Sequence, residues 1–127
     1  MSKQSKPTDS ELNILKILWE QGPLTVREVH EKLDNTRQTG YTTTLKLMQI
    51  MTEKELVKRN ESQRAHIYEA HIQQKDTQQN LVRNLLDQVF SGSTTSLVMQ
   101  ALSTKKASAE EIEQIRKMLD DYEGDAS

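Results

Sequence analysis

Residues 41–57, YTTTLKLMQIMTEKELV, hold the side chains best suited to chemistry in this chain. At helical spacing Thr44, Leu47, Met48 and Met51 fall on one side, while Thr42, Thr43, Lys46, Gln49, Ile50 and Glu53 lie on others. The outward side of the first turns therefore carries two hydroxyls and an ammonium. Such groups donate to phosphate oxygens and to base edges in a DNA major groove. A solvated helix start can look the same, so the surrounding elements must decide between the two readings.

Other chemistries are thinly supplied. The 127 residues include no cysteine, which removes disulfides, thiolate metal sites and thiol nucleophiles together. His66 and His71 have no third histidine nearby and no carboxylate at ligand spacing, so they read as polar strand positions and no metal is expected. No nucleophile stands beside a base, no paired carboxylates share an apolar stretch, and no glycine-rich phosphate loop occurs, so neither an enzyme nor a cofactor is expected. The polar start MSKQSKPTDS and the absence of a long apolar run give no signal peptide, membrane span or membrane binding, and the expected location is the cytoplasm. A net charge of −2 excludes nucleic-acid binding by bulk charge alone. Its distribution is more informative. Residues 1–72 sum to +1 and residues 73–127 to −3, while residues 36–68 alone hold six basic and three acidic side chains.

The elements that would position the 41–57 stretch follow from local signals. Residues 1–7 read as a short mobile arm with Lys3 and Lys6. Thr8-Asp9-Ser10-Glu11 has the form of a capping box, opening a helix whose apolar side is Leu12, Leu15, Ile17, Leu18 and Trp19 and whose end is Gly22-Pro23. Trp19 is read as a core anchor, and Leu24 as short and extended at most. Thr25-Val26-Arg27-Glu28 is a second capping box, predicting a helix to about Leu33 with Val26, Val29 and Leu33 inward and His30 on the surface. Asp34 to Gly40 reads as a connection, after which the helix over 41–54 completes a helix-turn-helix. Residues 56–60 and 65–70 read as strands around the polar turn 61–64, a hairpin that becomes a wing at 57–70. Arg64 in its turn, with Lys58 and Arg59 in its first strand, can meet backbone phosphates.

From Ile72 the composition changes. Residues 73–90 predict a long helix in which Leu81, Val82, Leu85, Leu86, Val89 and Phe90 form two adjacent stripes, broader than one packing partner needs. Ser91-Gly92-Ser93 breaks it. Thr94 to Leu102 predicts a short helix with Leu97, Val98, Ala101 and Leu102 buried, and Ser108-Ala109-Glu110-Glu111 is a third capping box. The last helix places Ile112, Ile115, Leu119 and Tyr122 on one side, with a frayed tail from Gly124. Aromatics are only 4% of the chain, and three such helices cannot enclose this much apolar surface by themselves. At about 25 cal/mol per Å², exposed stripes of this size cost several kcal/mol, so a second copy covering them is expected. The expected fold is mainly α: a winged helix-turn-helix of three helices and a β-hairpin over residues 1–72, then a three-helix dimerisation region over residues 73–127.

At this point the chain resembles the penicillinase-repressor family of bacterial regulators, which includes repressors of β-lactamase and methicillin-resistance operons and some copper-responsive ones. SELNILKILWEQGPLTVREVHEKL is similar to the family's first two helices, YTTTLKLMQIMTEKELVKRNESQRAHIYEA to its recognition helix and wing, and FSGSTTSLVMQAL with SAEEIEQIRKMLD to its dimer-forming tail. The resemblance implies a homodimer on double-stranded operator DNA with an inverted repeat, each subunit offering one winged helix. It implies groove contacts from Thr42, Thr43 and Lys46 and a wing contact from Arg64, to which the residues themselves add Lys58 and Arg59. The implied subunit interface draws on Leu81, Leu85, Val89, Leu97, Ile112, Ile115 and Leu119. Release by a membrane sensor protease would cut near Gln100-Ala101. The chain departs from the family pattern at four places. Glu55 stands where the family has glycine, and a left-handed turn there would cost glutamate about 1 kcal/mol, which leaves the turn open. Ile50 replaces an arginine common in the family, Gln100-Ala101 is not the Asn-Phe pair cut in staphylococcal members, and the cysteines of copper-responsive members are absent. An interaction module whose basic face docks an acidic protein partner is the alternative, separated from a repressor by preference among duplex sequences.

Overall fold

The computed structural model describes residues 6–33 and 40–126. Lys3 of the expected arm, residues 34–39 of the expected connection and Ser127 of the expected tail lie outside the described residues. The element order is α1 (Asp9–Gln21), β1 (Leu24–Thr25), α2 (Val26–Lys32), α3 (Tyr41–Glu53), β2 (Val57–Asn60), β3 (Ile67–Ala70), α4 (Gln74–Val89), α5 (Thr94–Thr104) and α6 (Ala109–Ala126). Two compact units result, residues 1–81 and residues 82–127.

In the first unit α1, α2 and α3 close around one core with the sheet at its edge. Ile14, Leu15, Val29, Met48, Met51 and Leu56 are fully buried. Ile14, outside the apolar side expected for α1, is among them, while Leu12, Ile17 and Trp19 pack half-buried around the core. Trp19 anchors through its ring nitrogen, which donates to the Ile72 carbonyl at 3.0 Å. Both predicted capping boxes form: the Thr8 hydroxyl accepts from the Glu11 amide while Glu11 accepts from the Thr8 amide, and Thr25 and Glu28 repeat the arrangement. The hairpin gains a third strand that local patterning does not reveal. The sheet order is β1-β3-β2, all antiparallel, with Leu24 opposite Tyr68 and Arg59 opposite Tyr68 on the other side.

The second unit is a run of helices with no buried residue among those described. The sequence reading expected Leu97, Val98, Ala101 and Leu102 to be buried; in the single chain Leu97 is half-buried and the other three are exposed. One helix of eleven residues has no second layer here to cover it. The third capping box forms, with Ser108 and Glu111 exchanging hydrogen bonds at 3.1 Å. The helix it opens continues to Ala126, so the frayed tail expected from Gly124 is helical to that point.

Two features fix the far end of α3. The chain leaves it through a left-handed turn at Glu55, φ 64°. The Leu56 amide donates to the Met51 carbonyl at 2.9 Å and the Glu55 amide to the Thr52 carbonyl at 3.1 Å. This pair of bonds, with Leu56 and Met51 both buried, is the Schellman ending that glycine ordinarily serves. Glu55 therefore takes the left-handed position itself, and the chain tolerates a conformational cost of about 1 kcal/mol to keep Leu56 in the core. Lys54, the helix-capping residue, reaches the Glu11 carboxylate with its ammonium 3.1 and 2.9 Å from the two oxygens.

Glu11 is 2% exposed, so burial pushes its carboxyl up, but the Thr8 amide and Lys54 together outweigh that and hold it below the ordinary value of 4.5. A group held low in the folded state contributes stability that is present above its unfolded pKa and lost as pH falls through its folded one. Glu11→Gln, which keeps the cap but not the charge, should lower unfolding free energy at pH 7 by about 2 kcal/mol in urea denaturation. The gap between the two proteins should close as pH falls through the lowered folded-state pKa of Glu11; equal stability at pH 7 would contradict this role.

Candidate nucleic-acid interface

The orientation of α3 follows from what it buries. Thr44, Met48 and Met51 are 0% exposed and face the core, so Thr42, Thr43, Lys46 and Gln49 are turned to solvent. Ile50 is half-buried. The helix start differs in its chemistry from those of α1, α2, α5 and α6. Thr8, Thr25, Ser93 and Ser108 place hydroxyls at the starts of α1, α2, α5 and α6. In contrast, α3 begins at Gly40, with no side-chain cap and no acidic residue in its first turn. The Thr43 and Thr44 amides bond to the Gly40 carbonyl at 3.1 and 3.2 Å, and no carboxylate of the first turn offsets the positive end of the helix.

The wing supplies further charge, unevenly. Lys58, Arg59 and Arg64 are all exposed. Arg59 forms an ion pair with Glu61, and the Tyr68 hydroxyl together with Glu61 holds its proton more firmly than usual. Lys54 is engaged by Glu11. Among the described residues, Lys46, Lys58 and Arg64 form no ion pair. Of the cations singled out from sequence, these three stay outside any ion pair, although Lys58 lies opposite Glu69 in the ladder of β2 and β3.

His30, expected on the surface, is instead half-buried, with Nδ1 2.9 Å from the hydroxyl of fully buried Thr44. Its ring meets that of Tyr41 edge-on, centroids 5.7 Å apart and planes at 85°. A hydroxyl at position 44 and an imidazole on the preceding helix each look unremarkable alone, and only the packing of α2 on α3 joins them. No sequence signal marked Tyr41 or His30 as part of this face.

The remaining sequence-derived positions lie in α4, α5 and α6. Leu81, Leu97, Ile112 and Ile115 are half-buried, whereas Leu85, Val89 and Leu119 are 43%, 64% and 57% exposed. Gln100 and Ala101 are exposed in the middle of α5. Among the described residues no group of three or more histidine, aspartate or glutamate side chains could hold a metal ion, and no helix is long and apolar enough to cross a membrane.

Three helices around one core, a short strand after the first and a hairpin directly after the third define a winged helix-turn-helix. Over residues 7–121 the sequence matches the penicillinase repressor family model, and the chain belongs to that family. It is 22% identical to the penicillinase repressor of Staphylococcus aureus over 120 residues, 94% of this chain and 95% of that protein. It is 31% identical to the transcriptional regulator BlaI of Mycobacterium tuberculosis over 127 residues, 97% of this chain and 89% of the other. Its fold is similar to the solution structure of the DNA-binding domain of the repressor BlaI, with a TM-score of 0.52 and 22% identity, covering 60% of this chain and 93% of that one.

Proposed function

We propose that the chain is a dimeric, DNA-binding transcriptional repressor, cytoplasmic and without enzymatic activity, that occupies an inverted-repeat operator. The observation that carries this reading is the exposed first face of α3: Thr42, Thr43 and Lys46 project from an uncapped helix start held rigidly by a buried stripe. Lys46 would enter the major groove with the two hydroxyls, and Lys58 and Arg64 would rest on flanking phosphates. Arg59, already paired with Glu61, would contribute less. Phosphate neutralisation supplies most of the affinity and a few base contacts the specificity.

Residues 1–72 form the DNA-binding domain in this reading, and residues 73–127 the dimerisation domain. Support for self-association comes from apolar side chains without cover in the single chain, notably Val89 and Leu119. A two-fold pair of subunits matches a two-fold operator, one half-site per winged helix. Release falls to a signal acting on the C-terminal helices, such as a membrane sensor protease cutting near Gln100-Ala101. The bond lies within a helix, so local unfolding of α5 must precede any cut.

A duplex recovered by selection from a random pool serves as the probe. Lys46→Ala should weaken binding about tenfold, about 1.4 kcal/mol, and leave the dimer intact in a mobility-shift titration; unchanged affinity removes α3 from the interface. Asp at both Leu85 and Val89 should convert the protein to a monomer by sedimentation equilibrium. A double variant that still sediments as a dimer refutes the assignment of that face.

A further inference from the structure

We infer that Arg27, on α2 and outside the recognition helix, is an additional phosphate-binding residue, held in place by the ring of Tyr41. The inference rests on the DNA-binding reading above and extends it to a second helix.

The Arg27 guanidinium carbon lies 5.0 Å from the Tyr41 ring centroid. A guanidinium over an aromatic face is attracted by the ring's negative quadrupole and, being planar, stacks there without giving up its outward N–H donors. Arg27 is exposed and, among the described residues, forms no ion pair, although Glu31 stands one turn further along the same helix. Its choice of the ring over the carboxylate leaves its positive charge uncompensated.

The ring is itself held. Buried Thr44 fixes His30 through the 2.9 Å contact at Nδ1, and the imidazole abuts Tyr41 edge-on at 5.7 Å. A chain of contacts thus runs from the core to the guanidinium, through Thr44, His30 and Tyr41. Tyr41 immediately precedes Thr42 and Thr43, so Arg27 is placed beside the first turn of α3, where the helix start lacks a side-chain cap and its first turn holds no acidic residue. A duplex whose groove receives Thr42, Thr43 and Lys46 brings its sugar-phosphate backbone past that turn. Arg27 then donates to a phosphate oxygen, which adds affinity without sequence preference.

The test measures duplex affinity by fluorescence anisotropy across a range of salt, with the full-length chain. Arg27→Ala should reduce the slope of log K against log salt by about 1 and weaken selected and scrambled duplexes by a similar factor, with the thermal midpoint unchanged. Arg27→Lys should keep the slope. Tyr41→Phe, which preserves the ring face, should bind as wild type, and Tyr41→Leu should weaken binding about threefold. Wild-type slope and affinity in Arg27→Ala, alongside a weakened Lys46→Ala, would overturn the Arg27 assignment alone. A wild-type protein that binds no duplex would overturn it together with the DNA-binding reading.

Discussion

Thr44, Met48 and Met51 stack along one side of α3 with no solvent exposure, and the rest of the N-terminal unit is arranged to keep them there. A helix can bury only one stripe at a time in a core this small, so fixing that stripe also fixes which residues face outward. The Schellman ending at Glu55 draws Leu56 in beneath Met51, and Lys54 ties the same end to the first turn of α1. At the opposite end His30 holds Thr44 from α2. Both termini of α3 are thereby clamped by side chains from the two helices that precede it. Rotation of α3 about its axis would expose methionine and bury lysine, and the display of Thr42, Thr43 and Lys46 is the reverse side of that penalty.

Charge is partitioned just as clearly. Basic side chains near α3 fall into those neutralised within the protein and those left open to a polyanion. Lys54 serves Glu11 and Arg59 serves Glu61, while Lys46, Lys58, Arg64 and Arg27 form no ion pair among the described residues. A chain of net charge −2 can thus display basic side chains outside any ion pair, because local pairing rather than total charge sets the field near each of them.

Much of the fold was legible because its signals are local. The three capping boxes, the Gly22 ending and the helical spacing of Thr44, Leu47, Met48 and Met51 each operate within a few residues, and all appear as read except that Leu47 is only half-buried. What escaped the sequence lies between distant residues. Glu11 and Lys54 are 43 positions apart and Trp19 and Ile72 are 53 apart, so neither contact has a spacing to read. Leu24 and Thr25 gave two residues of strand, too short to announce their pairing with β3. His30 reads as a surface residue on its own helix because its partner, Thr44, sits on another. Glu55 illustrates the converse: propensity argues against a left-handed glutamate, yet burial of Leu56 overrides it. The outward positions of α3 and the wing were legible as a face, whereas the support behind that face was not.

Recognition through α3 requires its first turns to meet DNA while its buried stripe stays put. Amide NMR shifts of the labelled protein, titrated with a duplex selected from a random pool, test this most directly. Perturbations should concentrate at residues 41–47 of α3, beside Arg27 and in the turn between β2 and β3, with the amides of Met48 and Met51 little moved. Shifts centred on α5 or α6 instead, with α3 silent, would contradict it.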